Sequence, residues 1–591
     1  MERKWWTLIA VSVAIFMLLL DITVVNVALP SIQSALKSSF SDLQWVVNAY
    51  ALTLAAFLLT AGSVADLIGR RRVFTLGLIV FTASSAACGL STTPLMLNLA
   101  RAVQGVGGAM MFATSLALLA QAFHGRERGT AFGVFGAVTG AAVAVGPVVG
   151  GIITSGIGWK WIFFINVPIG IAAVAITLMR VVESRDPNAR GVDWIGLVTF
   201  SGALFMLVFA LIEGNEDGWG STRIVALLLG ALVLFIAFVI AEVKQERPML
   251  DLSLFRKPAF TGASIVAFAV SSSIFAMFLY LTLYIQDVLG FTALQAGLRF
   301  LPITLLSFVA APIAGRLSVR MPVRYLLGGG LLLVGAGLLG MTAISATSGW
   351  TTLIPGFAVT GVGIGMINPP LASTAIGVVH YSRSGMASGI NATFRQVGIA
   401  TGIAGLGAVF QHDVLSTTTG ALGAQLRSVQ SAAHGQLGTV LESGEIKQVF
   451  HALSPAAQVA LKHSYRVGFT EAFDHILLIA AAIAFVGAVL ALVLVRQKDF
   501  VASQGPATDM PPEGVPAGAE PRASQCREPT TRPRARHVSD SPSKSALDLC
   551  LMRWTSQPRK RSSTSVSSPN TSSDAAARQL GVGSHRRRLA E

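Results

Sequence analysis

Fourteen apolar runs, each close to the twenty or so residues that a helix needs to cross a bilayer, fill most of the first 495 positions. They lie near 6–28, 45–65, 73–91, 95–118, 131–153, 161–181, 193–212, 223–242, 260–285, 296–316, 325–345, 351–372, 386–410 and 474–495. A membrane β-barrel would instead alternate apolar and polar residues in segments of about ten. The runs therefore predict an all-α membrane protein with fourteen transmembrane helices. Charge agrees: 12% of the chain is Asp, Glu, Lys or Arg, against about a quarter in a soluble protein. That excludes a soluble multidomain enzyme.

Basic residues alternate from gap to gap. One set of segments holds eighteen Lys and Arg, from Arg3 and Lys4 through Arg70–Arg72 to Arg316, Arg320, Arg324 and Arg383, and the alternate short loops hold four, Lys37, Lys160, Arg223 and Arg299. Lys and Arg favour cytoplasmic loops, so the first set predicts a cytoplasmic face that also carries both termini. The segment 411–470 would then be an external loop with short amphipathic helices. From 501 to 591 the chain is rich in Ser, Pro, Arg and Ala without apolar periodicity, a composition that predicts a disordered, basic cytoplasmic tail. The net charge of +15 is spread over short loops and this tail, so nucleic acid is not an expected partner. No cleavable leader is evident at the first run. Cys88, Cys526 and Cys550 make neither a disulfide framework nor a ligand set, and the nine histidines show no metal-ligand spacing. No cofactor, metal or catalytic residue is expected, and the chain does not read as an enzyme.

One acid stands inside a helix: Asp21, where an ionised side chain costs roughly 2.5–3.5 kcal/mol. Glu213, Glu242 and Asp287 fall near run ends. With Pro30 taken as the outer end of the first helix, Asp21 lies about 13 Å deep. Arg101, seven residues after Pro94, lies about 10 Å deep. Opposite charges at similar depth offer each other a partner in an ion pathway, against the alternatives of a static ion pair or an Asp capped by backbone.

Several motifs carry a family resemblance. Gly62-Ser-Val-Ala-Asp66-Leu-Ile-Gly69-Arg70-Arg71-Arg72 resembles the signature loop of the major facilitator superfamily, G-x-L-A-D-R-x-G-R-R, with Val64 for Leu and Leu67 for Arg. A weaker copy, Gly315-Arg-Leu-Ser-Val-Arg-Met-Pro-Val-Arg324, occurs 253 residues on without the Asp. Leu20-Asp21-Ile-Thr23-Val-Val-Asn26-Val-Ala-Leu-Pro30 is similar to the first helix of the fourteen-spanner drug:proton antiporters, the EmrB/QacA type of multidrug efflux transporter. Gln44-Trp45-Val-Val-Asn-Ala-Tyr50 and Trp159-Lys-Trp161-Ile-Phe-Phe-Ile-Asn166-Val-Pro168 fit the same group. Leu97-Asn-Leu-Ala-Arg101-Ala-Val-Gln104-Gly105 resembles the superfamily motif that places one arginine in the membrane, Gly146-Pro147-Val-Val-Gly150-Gly151 resembles the antiporter motif, and Asn391-Ala-Thr-Phe-Arg395-Gln396 is a further element similar to the family.

The resemblance implies a fold of two six-helix halves, 1–185 and 259–500, separated by an inserted helix pair at 186–258. It implies a proton-coupled antiporter in the cytoplasmic membrane (the inner membrane of a two-membrane cell), exporting small amphipathic compounds by alternating access. Asp21 and Arg101 would couple the proton. Gly62, Asp66, Gly69, Arg70 and Arg71 would gate the conformational change, and Gly146, Pro147, Gly150 and Gly151 would form the antiporter helix motif. Asn26, Gln104, Tyr280, Tyr284, Asn391, Arg395 and Gln396 are candidates for the substrate cavity, alongside Phe275 and Phe278, though the aromatic residues fit a lipid face equally well. Expected partners are the substrate, protons and the lipid bilayer. The resemblance leaves room for a periplasmic adaptor and implies a monomer. Two other readings stay open: a dedicated exporter of one endogenous metabolite or siderophore, and a transport-inactive membrane sensor of the same fold.

Overall fold

A computed structural model describes residues 2–500 apart from 124, 186–190, 246–247, 319, 343, 346, 379–383, 423–454 and 497–498. The tail expected at 501–591 and the basic residues Arg190, Arg247 and Arg383 lie outside the described residues.

The described chain is helical, with no strand. Twelve of its helices are long and apolar enough to cross a membrane. The first five are α1 (Arg3–Leu36), α2 (Phe40–Ile68), α3 (Arg70–Leu90), α4 (Pro94–Ala122) and α5 (Gly125–Gly156). A single turn, α6 (Trp161–Phe164), leads into α7 (Asn166–Arg180), followed by α8 (Trp194–Asp217) and α9 (Thr222–Lys244). Next comes one helical stretch, Pro258–Val288, made of α10 (Pro258–Val270) and α11 (Ala276–Leu283) with π turns at Ser271–Phe275 and Tyr284–Val288. α12 (Ala293–Arg299) continues into α13 (Leu301–Leu317), and α14 (Val323–Leu339), α15 (Ile354–Gly377), α16 (Ser384–Leu422) and α17 (Pro455–Leu494) complete the order. Two of the fourteen runs fall short of the same measure. α14 has 17 residues, and α16, 39 residues long, is rich in Gly, Ser and Thr.

Local chemistry sets the ends. Ser39 and Asp42 form a reciprocal capping box at the start of α2, and Thr93 caps α4 ahead of Pro94 at its first position. Lys37 ends α1 in the left-handed conformation at φ 52°. Pro30 does not end that helix: it lies inside α1, which runs on to Leu36. A proline inside a membrane helix frees carbonyls that neighbours can satisfy. One residue on from the Asn26 carbonyl that lacks a Pro30 donor, the Gln286 amide donates to the Val27 carbonyl at 2.7 Å. The segment 411–470 differs from expectation in the same way. Residues up to Leu422 extend α16 and those from Pro455 belong to α17, so the described flanks are helix continuations. Residues 423–454 lie outside the described set.

Small residues bring helices together. A Cβ on Gly107 of α4 would meet the Phe81 nitrogen of α3 at 2.6 Å, and Gly105 faces the Tyr50 carbonyl of α2. Gly398 and Gly402 seat α16 on the first π turn, where added Cβ atoms would meet the Phe268 oxygen at 2.6 Å and Ser272 Cα at 2.7 Å. The Ser272 and Ser273 hydroxyls donate to Phe268 and Ala269 carbonyls there. α8 leans on α2 and α16, with the Trp45 indole donating to Glu213 at 3.2 Å and the Asn215 amide donating to the Ala408 carbonyl at 2.6 Å. α9 packs chiefly on α8 and exposes Leu232, Val233 and Phe235. Such an apolar outer face suits lipid, where water is absent and backbone groups are satisfied within the helix.

Candidate functional site

The centre of the first seven helices holds a buried polar cluster. The Asp21 carboxylate and the Arg101 guanidinium meet at 2.5 Å, with side-chain exposures of 0% and 1%. Arg101 spends its other donors inside the protein: Nη1 also reaches Gln104 Oε1 at 2.8 Å, and Nε donates to the Val46 carbonyl at 3.0 Å. Gln104 closes the ring by donating to the second Asp21 oxygen at 2.9 Å. That oxygen also accepts from the Asn166 amide at 3.2 Å, and Asn166 contacts the Ser85 hydroxyl at 3.1 Å. The Tyr50 ring lies 4.3 Å from the guanidinium carbon. Each partner of the pair is thus hydrogen-bonded beyond its opposite charge, which is the condition for a buried ion pair to persist. Gln104, placed by sequence among cavity residues, belongs to this cluster. Asn166, Ser85 and Tyr50 had not been singled out as its members. The spacing of Arg101 and Gln104, three apart on one helix face, is the sequence signal by which Gln104 could have been assigned to the cluster.

α1 presents two different faces. Asp21 points to α4, while Ile22, Thr23 and Asn26 line a cavity with Val47, Pro147, Phe275, Phe278, Phe300, Ile399 and Ile403. At 100° per residue, Asp21 and Asn26 stand about 140° apart around the helix. The cavity has about 540 Å³ of empty space, part of it open to the surroundings. Its lining is mostly apolar, and Asn26 contributes a buried Oδ1 with no hydrogen-bond partner among the described residues.

The other cavity candidates separate. Tyr280 is fully buried, donates to the Ile403 carbonyl at 2.6 Å and packs on Phe40 and Phe410. Tyr284 stacks on Phe473 at 5.3 Å. Neither lines the cavity, whereas Phe275 and Phe278 do. Asn391 donates to the Ala263 carbonyl at 3.3 Å and ties α16 to α10. Arg395 is half-buried, with Nη1 3.3 Å from Asn368 Oδ1 and its guanidinium 5.6 Å from the Phe275 ring centre. Gln396 beside it is half-buried.

The glycines of α5 are explained by close approach. An added Cβ on Gly146 would strike the Thr23 side chain, and on Gly150 it would meet Val24 Cα at 3.0 Å. On the other side, a Cβ on Gly151 would meet the Ala293 oxygen at 2.6 Å and Leu294 Cα at 2.7 Å, and Gly297 lies against the Pro147 carbonyl. α5 is therefore clasped between α1 and α12, and the Leu294 amide donates to Ser155 at 2.9 Å along the same seam.

At the opposite end of the helices, the loop between α2 and α3 is held by ions. Asp66 accepts from Arg70 at 2.8 Å. Gly69 adopts φ 123°, a conformation that favours glycine, and its added Cβ would meet Glu183 Oε1 at 2.6 Å. Glu183 accepts from the Arg71 amide at 3.0 Å, and the Arg71 side chain donates to the Val181 carbonyl at 3.2 Å. Gly62 sits in α2 with Ala113 4.0 Å from its Cβ position. Glu183, not singled out from the sequence, is the acid that clamps the arginine loop to the end of α7.

Known proteins match this architecture. The model of the Major Facilitator Superfamily matches residues 11–403. The chain is 37% identical over 404 residues to the "Multidrug resistance protein Stp" of Mycobacterium tuberculosis (strain CDC 1551 / Oshkosh), covering 68% of this chain and 75% of that protein. It is 34% identical over 413 residues to the "Tetracenomycin C resistance and export protein" of Streptomyces glaucescens, covering 70% and 77%. It is 34% identical over 490 residues to the "Puromycin resistance protein pur8" of Streptomyces alboniger, covering 82% and 91%. Among solved structures, a bacterial homolog of the human lysosomal transporter Spinster, in an inward-facing and unoccupied conformation, shares the fold at a TM-score of 0.54 and 17% identity, over 85% of this chain and 99% of that one.

Proposed function

The chain belongs to the Major Facilitator Superfamily, and on that premise we propose that it is a proton-coupled antiporter that exports small amphipathic compounds, drugs and antibiotics among them. Its relatives named for multidrug, tetracenomycin C and puromycin resistance support a drug transporter, a multi-pass membrane protein and not an enzyme. The observation that carries the coupling is a titratable acid, buried against Arg101, on the same helix as the cavity wall.

The chemistry follows from the two faces of α1. Ionised Asp21 is held to Arg101, Gln104 and Asn166, which fixes the rotation of α1 against α4. A proton from outside neutralises Asp21 and removes the ionic part of that hold. α1 then shifts against α4, and its opposite face, with Thr23 and Asn26, reshapes the cavity. Release of the proton inside restores the pair. One charge crossing about 150 mV yields roughly 3.5 kcal/mol, enough for about a 300-fold gradient of a neutral substrate.

The fourteen-spanner arrangement belongs to the same proposal. α14 and α16 complete the count of fourteen, α1–α7 and α10–α17 form the two repeating units, and α8 with α9 is the inserted pair. The excess of eighteen basic residues against four supports a cytoplasmic location for the Arg70 end and both termini. Drug susceptibility of a pump-deficient bacterial host tests the reading. Wild type should raise tolerance to several unrelated amphipathic drugs and Asp21→Asn should not. Equal tolerance in both strains would overturn the coupling role.

A further inference from the structure

Arg101 and Arg395 both lie well inside long helices, and they are treated differently. Arg101 has its carboxylate. Arg395 has none among the described residues: its one hydrogen bond is a long one, 3.3 Å, to the neutral Asn368 amide oxygen. An arginine at membrane depth is retained at a cost and marks function when no acid neutralises it. Its register is fixed by Asn391, one turn earlier, and by Gly398, which seats α16 on Phe268. Ile399 and Ile403, four and eight residues on, share the Arg395 face of α16 and line the cavity. Phe275, whose ring centre is 5.6 Å from the guanidinium, lines it too, so Arg395 borders the cavity at the Phe275 wall and is not itself among the lining residues. No Asp or Glu lines that cavity.

We propose that Arg395 is the anion-binding group of the substrate site, so that the preferred substrates are amphipathic aromatic anions. The guanidinium supplies paired N–H donors suited to a carboxylate or sulfonate. Phe275, Phe278 and Phe300 supply apolar ring faces for the aromatic body. The unpartnered Asn26 Oδ1 across the cavity accepts a hydrogen bond from a substrate hydroxyl or amine. Outward movement of an anion and inward movement of a proton both carry positive charge inward, so the membrane potential drives both halves of the exchange. This substrate class rests on the export reading but makes a separate claim about binding.

The probes are 2-naphthalenesulfonate, ionised at all working pH values, and the neutral 2-naphthalenesulfonamide. Calorimetry on the full chain in detergent should show wild type binding the sulfonate on the order of tenfold or more tightly than the sulfonamide. Arg395→Gln should erase that preference, weakening sulfonate binding far more than sulfonamide binding, and Arg395→Lys should keep part of it. Equal affinities in wild type, undetectable sulfonate binding, or a preference that survives Arg395→Gln overturns the proposal. The wild-type comparison stands even if a variant misfolds. Drug tolerance without a sulfonate preference would remove the anion site and leave the exporter. A sulfonate preference without any transport would do the reverse.

Discussion

Asp21 and Arg101, eighty residues apart in sequence, meet at 2.5 Å where neither side chain is exposed by more than 1%. Removing one charge therefore strands the other in a dry site. Arg101→Ala should cost about 3–5 kcal/mol of stability, the usual consequence of breaking a buried pair from one side. Arg101→Lys keeps the charge but loses the planar fork that serves Asp21, Gln104 and the Val46 carbonyl together, so partial transport is expected. Thermal unfolding in detergent beside a transport assay checks both. An Arg101→Ala protein as stable as wild type would contradict the account.

Gln104 bridges the two charges, so Gln104→Leu should lower stability by about 1–3 kcal/mol through the donors and acceptors it strands. Transport should fall without being abolished, since the ion pair itself remains. The same thermal unfolding measurement reads the first effect, and a change within error would mean the bridge is incidental.

The seam of α5 has no space for side chains. Gly151→Leu should prevent α5 from closing on α12, where the Ala293 oxygen lies 2.6 Å from the Cβ position. Protein level should stay normal while transport is lost, and a cysteine at Asn26 should label faster from outside than in wild type. Unchanged labelling would show that this seam is not a gate.

How much of this was legible in the sequence depended on geometry. The apolar runs located the helices because membrane length is a one-dimensional property. The runs ended where composition turned polar, whereas α1, α16 and α17 continue past Pro30, residue 410 and residue 474 because hydrogen bonding carries a helix beyond its apolar part. Depth counting paired Asp21 with Arg101, although its reference point, Pro30, does not end α1. It could not find Asn166 or Ser85, which reach the cluster from other helices by rotation, a quantity that spacing along one run does not contain. Tyr280 and Tyr284 follow the π turn at Ser271–Phe275, whose extra residue rotates the downstream faces relative to an unbroken α-helix. Phe275 and Phe278 consequently face the cavity and the tyrosines face the core.

α8 and α9 should be peripheral, with their connecting turn outside. Cysteines in place of the exposed Gly220 and Arg185 should label from outside and inside respectively. Labelling of both from one side would show that the fourteen-spanner arrangement is wrong.

The segment after Ala507 lies outside the described residues and is rich in Ser, Pro and Arg. A chain stopped at Ala507 should insert and export like the full chain, as drug tolerance at matched protein level would show. Loss of export would give the tail a docking or gating role.

Proton coupling through Asp21 is tested most directly by substrate transport in proteoliposomes driven only by a pH gradient, wild type beside Asp21→Asn, with substrate binding measured on the same preparations. The amide is nearly isosteric and cannot titrate, and the cavity lies on the other face of α1. Gradient-driven transport should therefore vanish in Asp21→Asn while substrate affinity stays within a few-fold of wild type. Near-normal gradient-driven transport by Asp21→Asn would contradict the mechanism and move the search to an acid at a helix end, Asp287 first.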